Sequence, residues 1–110
     1  MKIKDYDFGK INIDGKIYEN DVIIFPDHIK DEWWREQGHL LQTKDLKEVF
    51  KEKPKKLIIG TGYSGKMEID DKVKQKADEL KVELIIKKST EACKTFNKEK
   101  DAVLAVHLTC

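Results

Sequence analysis

The chain has 110 residues, of which 39% are charged, and its formal net charge is +1. One domain spanning residues 1–110 is expected at this length. Charges of both signs are interspersed without a basic cluster, which argues against a nucleic-acid partner. No apolar run is long enough to span a bilayer, and the first residues lack the apolar core of a signal peptide. Two cysteines, Cys93 and Cys110, form no disulfide framework, so we expect a cytoplasmic protein with reduced thiols and no membrane partner.

The first quarter of the chain predicts antiparallel strands. Polar and apolar residues alternate around Gly9, and Asp14-Gly15 predicts a two-residue hairpin turn, because type I′ geometry needs positive φ at both positions. The apolar run at 21–25 is typical of a strand covered on both faces. The segment 27–42 has no regular pattern. It contains two adjacent tryptophans, of which at least one should be buried while the other lies at a surface or a pocket rim.

The second half alternates between helices and strands. Such alternation predicts parallel strands joined by right-handed crossovers. The fold class is therefore a single α/β domain whose mixed β-sheet has antiparallel N-terminal strands and βαβ units in the C-terminal half. The predicted elements are a helix opened by Thr43 and stopped by Pro54, a strand at 56–60, a helix capped by Asp70, a strand at 82–86, a helix opened by Ser89 or Thr90, and a strand at 102–108.

A glycine-rich loop follows the strand at 56–60. Successive glycines let backbone N–H groups turn toward a ligand, and ligands of open α/β sheets bind off the carboxyl ends of strands. A tight turn without a ligand is an equally weighted alternative, because glycine serves both purposes. The candidate ligand-binding residues of this loop are Gly60, Thr61, Gly62, Tyr63, Ser64, Gly65 and Lys66.

The loop matches three known motifs only in part. Residues 60–65 match the dinucleotide-binding motif G-x-G-x-x-G. That motif requires a helix that begins within the loop, but the next helix is expected near Asp70. The G-x-x-x-x-G-K spelling of the loop is followed by Met67, where a P-loop needs Ser or Thr for magnesium. Ser64 misses the G-x-S-x-G pattern because position 66 is Lys. We therefore expect no nucleotide cofactor, and simple anion binding stays open.

Other chemistry-bearing residues are scattered. Arg35 beside the tryptophans can fork onto a carboxylate or phosphate, although a surface Arg lying over packed rings is the alternative. His28 and His39 lack partners at metal-ligand spacing, so no metal site is expected. In an extended strand, a separation of three places His107 and Cys110 on opposite faces, unless the chain bends. Cys93 falls on an apolar helical stripe and should lie in the core.

Four segments, at 21–29, 33–39, 59–67 and 105–110, together resemble the adipogenesis-associated Mth-domain family. The chain is also similar to a mitochondrial complex I assembly factor. The resemblance covers essentially the whole chain. It implies one α/β domain with a three-layer architecture and no established enzyme activity. Some relatives act in assembly of a respiratory complex and others are linked to cell differentiation. The family's patterns concentrate here at Gly60, Gly62, Tyr63, Ser64 and Gly65, with Trp34, Arg35 and His39.

The leading hypothesis is a non-enzymatic binding module, possessing no cofactor, that recognises a protein partner or a small anionic ligand. Its motivating features are the glycine loop and the Trp33-Trp34-Arg35 segment, which occur without a recognisable catalytic set. The alternative is an enzyme or binding protein for a phosphate- or carboxylate-bearing metabolite. That alternative requires Lys66, Arg35 and either His107 or His39 to converge in one pocket. A homodimer formed through a sheet edge or apolar patch is a third hypothesis.

Overall fold

Three antiparallel strands form a sheet at the N-terminus of this computed structural model, which describes all residues 1–110. They are β1 (Ile3–Asp7), β2 (Lys10–Ile13) and β3 (Lys16–Tyr18), paired in that order. The turn between β2 and β3 has φ of 54° at Asp14 and 97° at Gly15. Both angles are positive, which confirms the hairpin predicted from Asp14-Gly15.

A five-stranded mixed sheet forms the centre of the molecule, with strand order β5-β4-β10-β7-β9. The strands β10, β7 and β9 run parallel, whereas β4 is antiparallel to β10. All residues of β4 and β10 are buried, as expected for apolar runs covered on both faces. The bounds are β4 (Val22–Ile24), β5 (Ile29–Lys30), β7 (Lys56–Gly60), β9 (Glu83–Lys87) and β10 (Ala102–Val106).

Two short strands pair separately from the central sheet. They are β6 (Leu40–Leu41) and β8 (Glu68–Ile69), which run parallel. The sequence predicted irregular structure across 27–42, yet β5 and β6 both lie there. A strand of two residues is too short to produce a visible alternation of polar and apolar residues, which explains why the pattern missed both.

The helices follow the predicted order with shifted starts. A 3₁₀ turn (Thr43–Leu46) leads into α1 (Lys47–Glu52), and α2 (Asp71–Glu79) and α3 (Ser89–Lys98) follow. Thr43 does not cap the first turn, because Gln42 occupies that position and its N–H donates to the Asp45 carboxylate. Asp70 is the cap of α2, as predicted. Ser89 is the first residue of α3, as predicted, while Lys88 occupies the cap position and the Ser89 hydroxyl donates to the His107 carbonyl.

The helices lie on opposite faces of the central sheet because of its strand order. The chain moves from β7 to β9 through α2 and returns past β7 to β10 through α3. Right-handed crossovers in opposite directions place α2 and α3 on opposite faces, which gives three layers. One buried cluster joins α1 and α2 to the sheet, and the other joins α3 and the N-terminal sheet to it. Cys93 lies in the second cluster, as predicted.

No helix of the structure combines the length and the apolar character needed to cross a membrane.

Asn97 ties the N-terminal sheet to α3. Its side-chain oxygen accepts from the Ile3 N–H at 2.9 Å and its amide nitrogen donates to the Ile3 carbonyl at 2.7 Å. We expect Asn97→Ala to lower the free energy of unfolding by about 1–3 kcal/mol, because the backbone N–H and carbonyl of the buried Ile3 both lose their partner. Chemical denaturation measures this. Lys98→Ala, one residue further on and exposed, should change stability by less than about 0.5 kcal/mol; equal effects of the two would contradict the role of Asn97.

Candidate functional site

The carboxyl ends of β7 and β10 meet at one end of the central sheet. The two strands are adjacent and parallel, and β10 is the last strand of the chain. Ligand sites of open α/β sheets lie at such carboxyl ends. The glycine loop leaves β7 here, and residues 107–110 leave β10 here. Asp21 reaches the same end because the following residue, Val22, pairs with Val106.

Three charged or polar side chains form a buried cluster at this end. Asp21 Oδ2 accepts from Arg35 Nη1 at 2.7 Å and from His107 Nδ1 at 2.7 Å. Asp21 Oδ1 accepts from the Leu108 N–H at 2.7 Å. The Arg35 guanidinium also stacks over the Trp33 ring, with 4.7 Å to the ring centroid. The side chains of Asp21, Arg35 and His107 are 15%, 5% and 7% exposed, so this cluster holds its charges away from water.

The Asp21 carboxylate stays ionised in this environment. Burial alone would raise its pKa, but hydrogen bonds from His107, the Leu108 N–H and Arg35 outweigh that effect and hold the pKa below its usual value. A carboxylate at 2.7 Å requires Nδ1 of His107 to carry a proton. Arg35 Nη2 lies 3.0 Å from the same nitrogen, which has no free lone pair to accept a hydrogen bond. Nη2 instead donates to the Gly38 carbonyl at 3.3 Å. The other ring nitrogen of His107, Nε2, is buried without a partner.

Arg35 is thus already paired. The sequence offered its guanidinium as a group to hold an external anion, but the structure places it against Asp21 with 9% of the residue exposed. A buried guanidinium that neutralises a neighbouring carboxylate has little remaining attraction for a surface phosphate.

The N–H groups of the glycine loop point into the protein. Gly62 N–H donates to the Ser89 hydroxyl at 2.9 Å. The remaining bonded amides of the loop donate to carbonyl oxygens: Thr61 to Lys87, Tyr63 to Thr109, Gly65 to Gly62, Lys66 to Cys110 and Met67 to Thr61. The loop therefore wraps the segment 107–110. Its N–H groups, which the sequence suggested for binding an anion, are instead bonded to oxygen atoms of the protein itself.

The glycines are explained by this wrapping. Gly62 has φ of +112°, and a Cβ there would lie 2.5 Å from the Thr109 carbonyl oxygen. A Cβ on Gly60 would lie 2.8 Å from the Ser89 hydroxyl. That hydroxyl in turn donates to the His107 carbonyl. Neighbouring atoms leave no room for a Cβ at either position. Glycine is therefore required at both positions whether or not the loop binds a ligand.

His39 and Cys110 complete a second group beside the buried cluster. His39 Nε2 lies 3.3 Å from Cys110 Sγ, and one ring nitrogen of each of His39 and His107 together with this sulfur all lie within 4.8 Å of one another. His107 and Cys110 lie close together, because the chain is not extended here and the exception that the sequence left open applies. The strand ends at Val106, and the chain then bends, with φ of +51° at Cys110.

The sequence does not indicate Asp21 or Ser89 as site residues. It brings His107 and Cys110 together only if the chain bends, and it offers His107 also within the metabolite alternative. The available signal was positional: His107 lies near the carboxyl end of the predicted strand at 102–108, and sites of α/β sheets form at such ends. His28, by contrast, is exposed, stacks on Phe25 and bonds to the neighbouring Asp27, so it stays away from the site.

Exposed aromatic side chains lie near the segment 107–110. Tyr63 is 49% exposed and its ring lies 5.8 Å from that of Phe8. Trp34 is 76% exposed, whereas Trp33 is buried, as the paired tryptophans predicted. Trp34 and Thr109 line one shallow depression of about 350 Å³, together with Glu19 and Glu32. Ser64 and Lys66 are exposed at the glycine loop.

Removing the Asp21 carboxylate should be strongly destabilising. We expect Asp21→Ala to cost about 3–5 kcal/mol, because it leaves Arg35 charged, buried and unpaired. Urea denaturation measures the loss. Asp27→Ala removes a carboxylate that is 86% exposed, and should cost less than about 0.5 kcal/mol. Equal stability of the two variants would show that the cluster contributes nothing to folding.

A side chain at position 62 should displace the segment 107–110. We expect Gly62→Ala to lower the unfolding free energy by more than about 2 kcal/mol, since both φ and the Thr109 carbonyl oppose a Cβ. Gly38→Ala is the matched control, because a Cβ at that position would meet no atom within 4 Å. Thermal unfolding compares them, and a Gly62 variant as stable as its control would refute the close approach.

Comparison with known proteins identifies relatives without a described activity. A family model described as "Protein of unknown function (DUF498/DUF598)" matches residues 3–106. A conserved hypothetical protein, PH1505 from Pyrococcus horikoshii OT3, is 27% identical, with a TM-score of 0.85 and 100% of both chains covered. The structure named MT938 is 22% identical with a TM-score of 0.79, covering 99% of this chain and 98% of its own.

A structure described as an outer membrane protein from Bartonella henselae is 20% identical, with a TM-score of 0.77, and the match covers 96% of this chain and 94% of that one. Identities this low show a shared fold alone. No curated protein matches the chain significantly. Because the family model spans nearly every residue, this chain belongs to the DUF498/DUF598 family of proteins of unknown function.

Proposed function

We propose that the protein is a non-enzymatic interaction module of the cytoplasm that binds a partner protein through an aromatic surface, defined as Phe8, Trp34, Tyr63 and Thr109. The observation that carries this proposal is the exposure of three large aromatic side chains around one segment of backbone. Exposed aromatic groups of this kind are typical of protein interfaces, where they supply most of the binding energy.

The charges beside Trp34 indicate the chemistry of the partner. Glu19 and Glu32 line the same depression as the indole, and both are exposed. An aromatic face flanked by carboxylates fits an Arg or Lys side chain, which stacks on the ring and pairs with the acids. The partner segment therefore carries a basic residue. The interspersed charges over the rest of the chain support a protein partner rather than a nucleic acid or a membrane.

The internal bonding of the site supports a binding role over a catalytic one. Arg35 is paired with Asp21, and the loop amides hold the segment 107–110. A module of this kind would serve as an assembly or accessory factor. The resemblance to adipogenesis-associated Mth-domain proteins and to a complex I assembly factor supports that role.

A second candidate is a binding protein or enzyme for a phosphate- or carboxylate-bearing metabolite. The observation in its favour is the exposed Lys66, whose N–H bonds to the Cys110 carbonyl beside His39. Thermal unfolding against phosphates and carboxylic acids separates the two candidates. A ligand at a hundred times its dissociation constant adds about 2.7 kcal/mol, and Lys66→Ala should abolish that gain.

Trp34 tests the interaction proposal directly. Affinity capture from the source cell with wild-type and Trp34→Ala baits should recover a partner only with the wild type. Titration of that partner should then show about thirtyfold weaker binding by Trp34→Ala, equivalent to about 2 kcal/mol. Ile86→Ala is the control, since Ile86 is a partly exposed apolar residue on the edge strand β9.

Two results would contradict the proposal. The first is recovery of the same proteins with both baits. The second is a partner whose affinity is unaffected by Trp34→Ala. If gel filtration shows that the captured species is a second copy of this chain, the homodimer hypothesis replaces a separate partner.

A further inference from the structure

We propose that His39, His107 and Cys110 bind one Zn²⁺ ion through three protein ligands, with a fourth position open to solvent. The three residues come from two distant parts of the chain. His39 precedes β6, and its carbonyl accepts from the Glu68 N–H of β8 at 2.8 Å. His107 and Cys110 lie beyond the end of β10, where the glycine loop holds the backbone.

The spacing of the donor atoms suits a tetrahedral ion. Zinc–nitrogen bonds of about 2.0 Å and zinc–sulfur bonds of about 2.3 Å place tetrahedral donors about 3.3–3.6 Å apart. His39 Nε2 and Cys110 Sγ lie 3.3 Å apart, and every pair in the group is within 4.8 Å. His39 is exposed and Cys110 is half-buried, so small side-chain rotations close the remaining distance.

A buried nitrogen without a partner points independently to a ligand. His107 is 6% exposed, and its Nε2 makes no hydrogen bond in the folded protein. A buried acceptor left without a partner destabilises the folded state, and coordination to a metal removes that cost. Because Asp21 keeps the proton on Nδ1, Nε2 presents a lone pair, which is the form of imidazole that binds a metal.

The surroundings of His107 match those of histidine ligands in known metal sites. Such a histidine usually donates its second N–H to a carboxylate, which fixes the tautomer and orients the ring. Asp21 accepts this bond at 2.7 Å, and Arg35 and the Leu108 N–H hold the carboxylate in place. The buried cluster of Asp21, Arg35 and His107 therefore fixes the orientation of the His107 ring at the proposed site.

The donor set selects the ion. Two imidazoles and one thiolate suit Zn²⁺, whereas Mg²⁺ and Ca²⁺ require oxygen ligands. The thiol of Cys110 releases one proton to solvent when it coordinates. Zinc held by three protein ligands carries a water in its fourth position, and that water can be replaced by another ligand. Exposure of His39 leaves that position accessible.

Cobalt and zinc titrations of the whole chain test the site. We expect one Co²⁺ per chain, a thiolate-to-cobalt charge-transfer band, the visible bands of tetrahedral cobalt, and displacement of cobalt by one Zn²⁺. Cys110→Ser should remove the charge-transfer band, and His39→Ala should abolish tetrahedral binding. His39 is exposed and Cys110 is half-buried, so we expect both variants to keep the fold, which circular dichroism verifies.

Matched controls exist within the chain. His28→Ala and Cys93→Ala remove the remaining histidine and cysteine, and both should retain full metal binding, as should Trp34→Ala. Burial raises the pKa of the Cys93 thiol to about 12, which keeps it protonated and a poor ligand. Asp21→Asn, where it folds, should weaken zinc binding by about 10–100-fold, the usual effect of losing the carboxylate behind a histidine ligand.

Three results would overturn the proposal: no stoichiometric binding, a cobalt spectrum without the thiolate band, or binding that survives both Cys110→Ser and His39→Ala. Each is independent of the proposed interaction surface, because Trp34 supplies no donor atom to the metal. A failure of partner capture would leave the zinc site unaffected, and a failure to bind zinc would leave the partner surface unaffected.

Discussion

The Asp21 carboxylate is the interaction on which this end of the molecule depends. Its two oxygens accept from Arg35, His107 and the Leu108 N–H, so one side chain joins the start of β4, the segment that carries the tryptophans and the exit of β10. Because the site is buried, each donor is needed to offset the cost of removing the charge from water. Trp33, which stacks on Arg35, and the segment that follows β10 therefore take their positions around this carboxylate.

The local elements of the fold could be predicted from the sequence because their causes are local. The hairpin at Asp14-Gly15 needs two residues with positive φ, and Asp70 caps α2 through its own neighbour Lys72. The alternation of helices and strands after residue 43 likewise indicated the parallel core. The short strands β5 and β6 could not be predicted, since tertiary pairing rather than any sequence period forms them.

The candidate site was predicted in part. The glycine loop and Arg35 lie at the correct end of the sheet, but the sequence could not show what they contact. Asp21 and His107 are separated by 86 positions, and only the pairing of β4 with β10 brings them together. The bend that brings Cys110 back toward His39 depends on the carbonyl contacts of the loop, which no local pattern encodes.

The position of β10 also has a kinetic consequence. It is the last strand in chain order, yet it lies between β4 and β7 in the middle of the central sheet. Until it inserts, β4 and β7 each present an unpaired apolar edge, which is the kind of surface that aggregates. Its residues pair with β7 residues 46 positions earlier and with β4 residues 80 to 84 positions earlier, so the search for the native register is slow. Folding of this domain should therefore be limited by a late strand insertion that assembles the sheet and the polar cluster in one step.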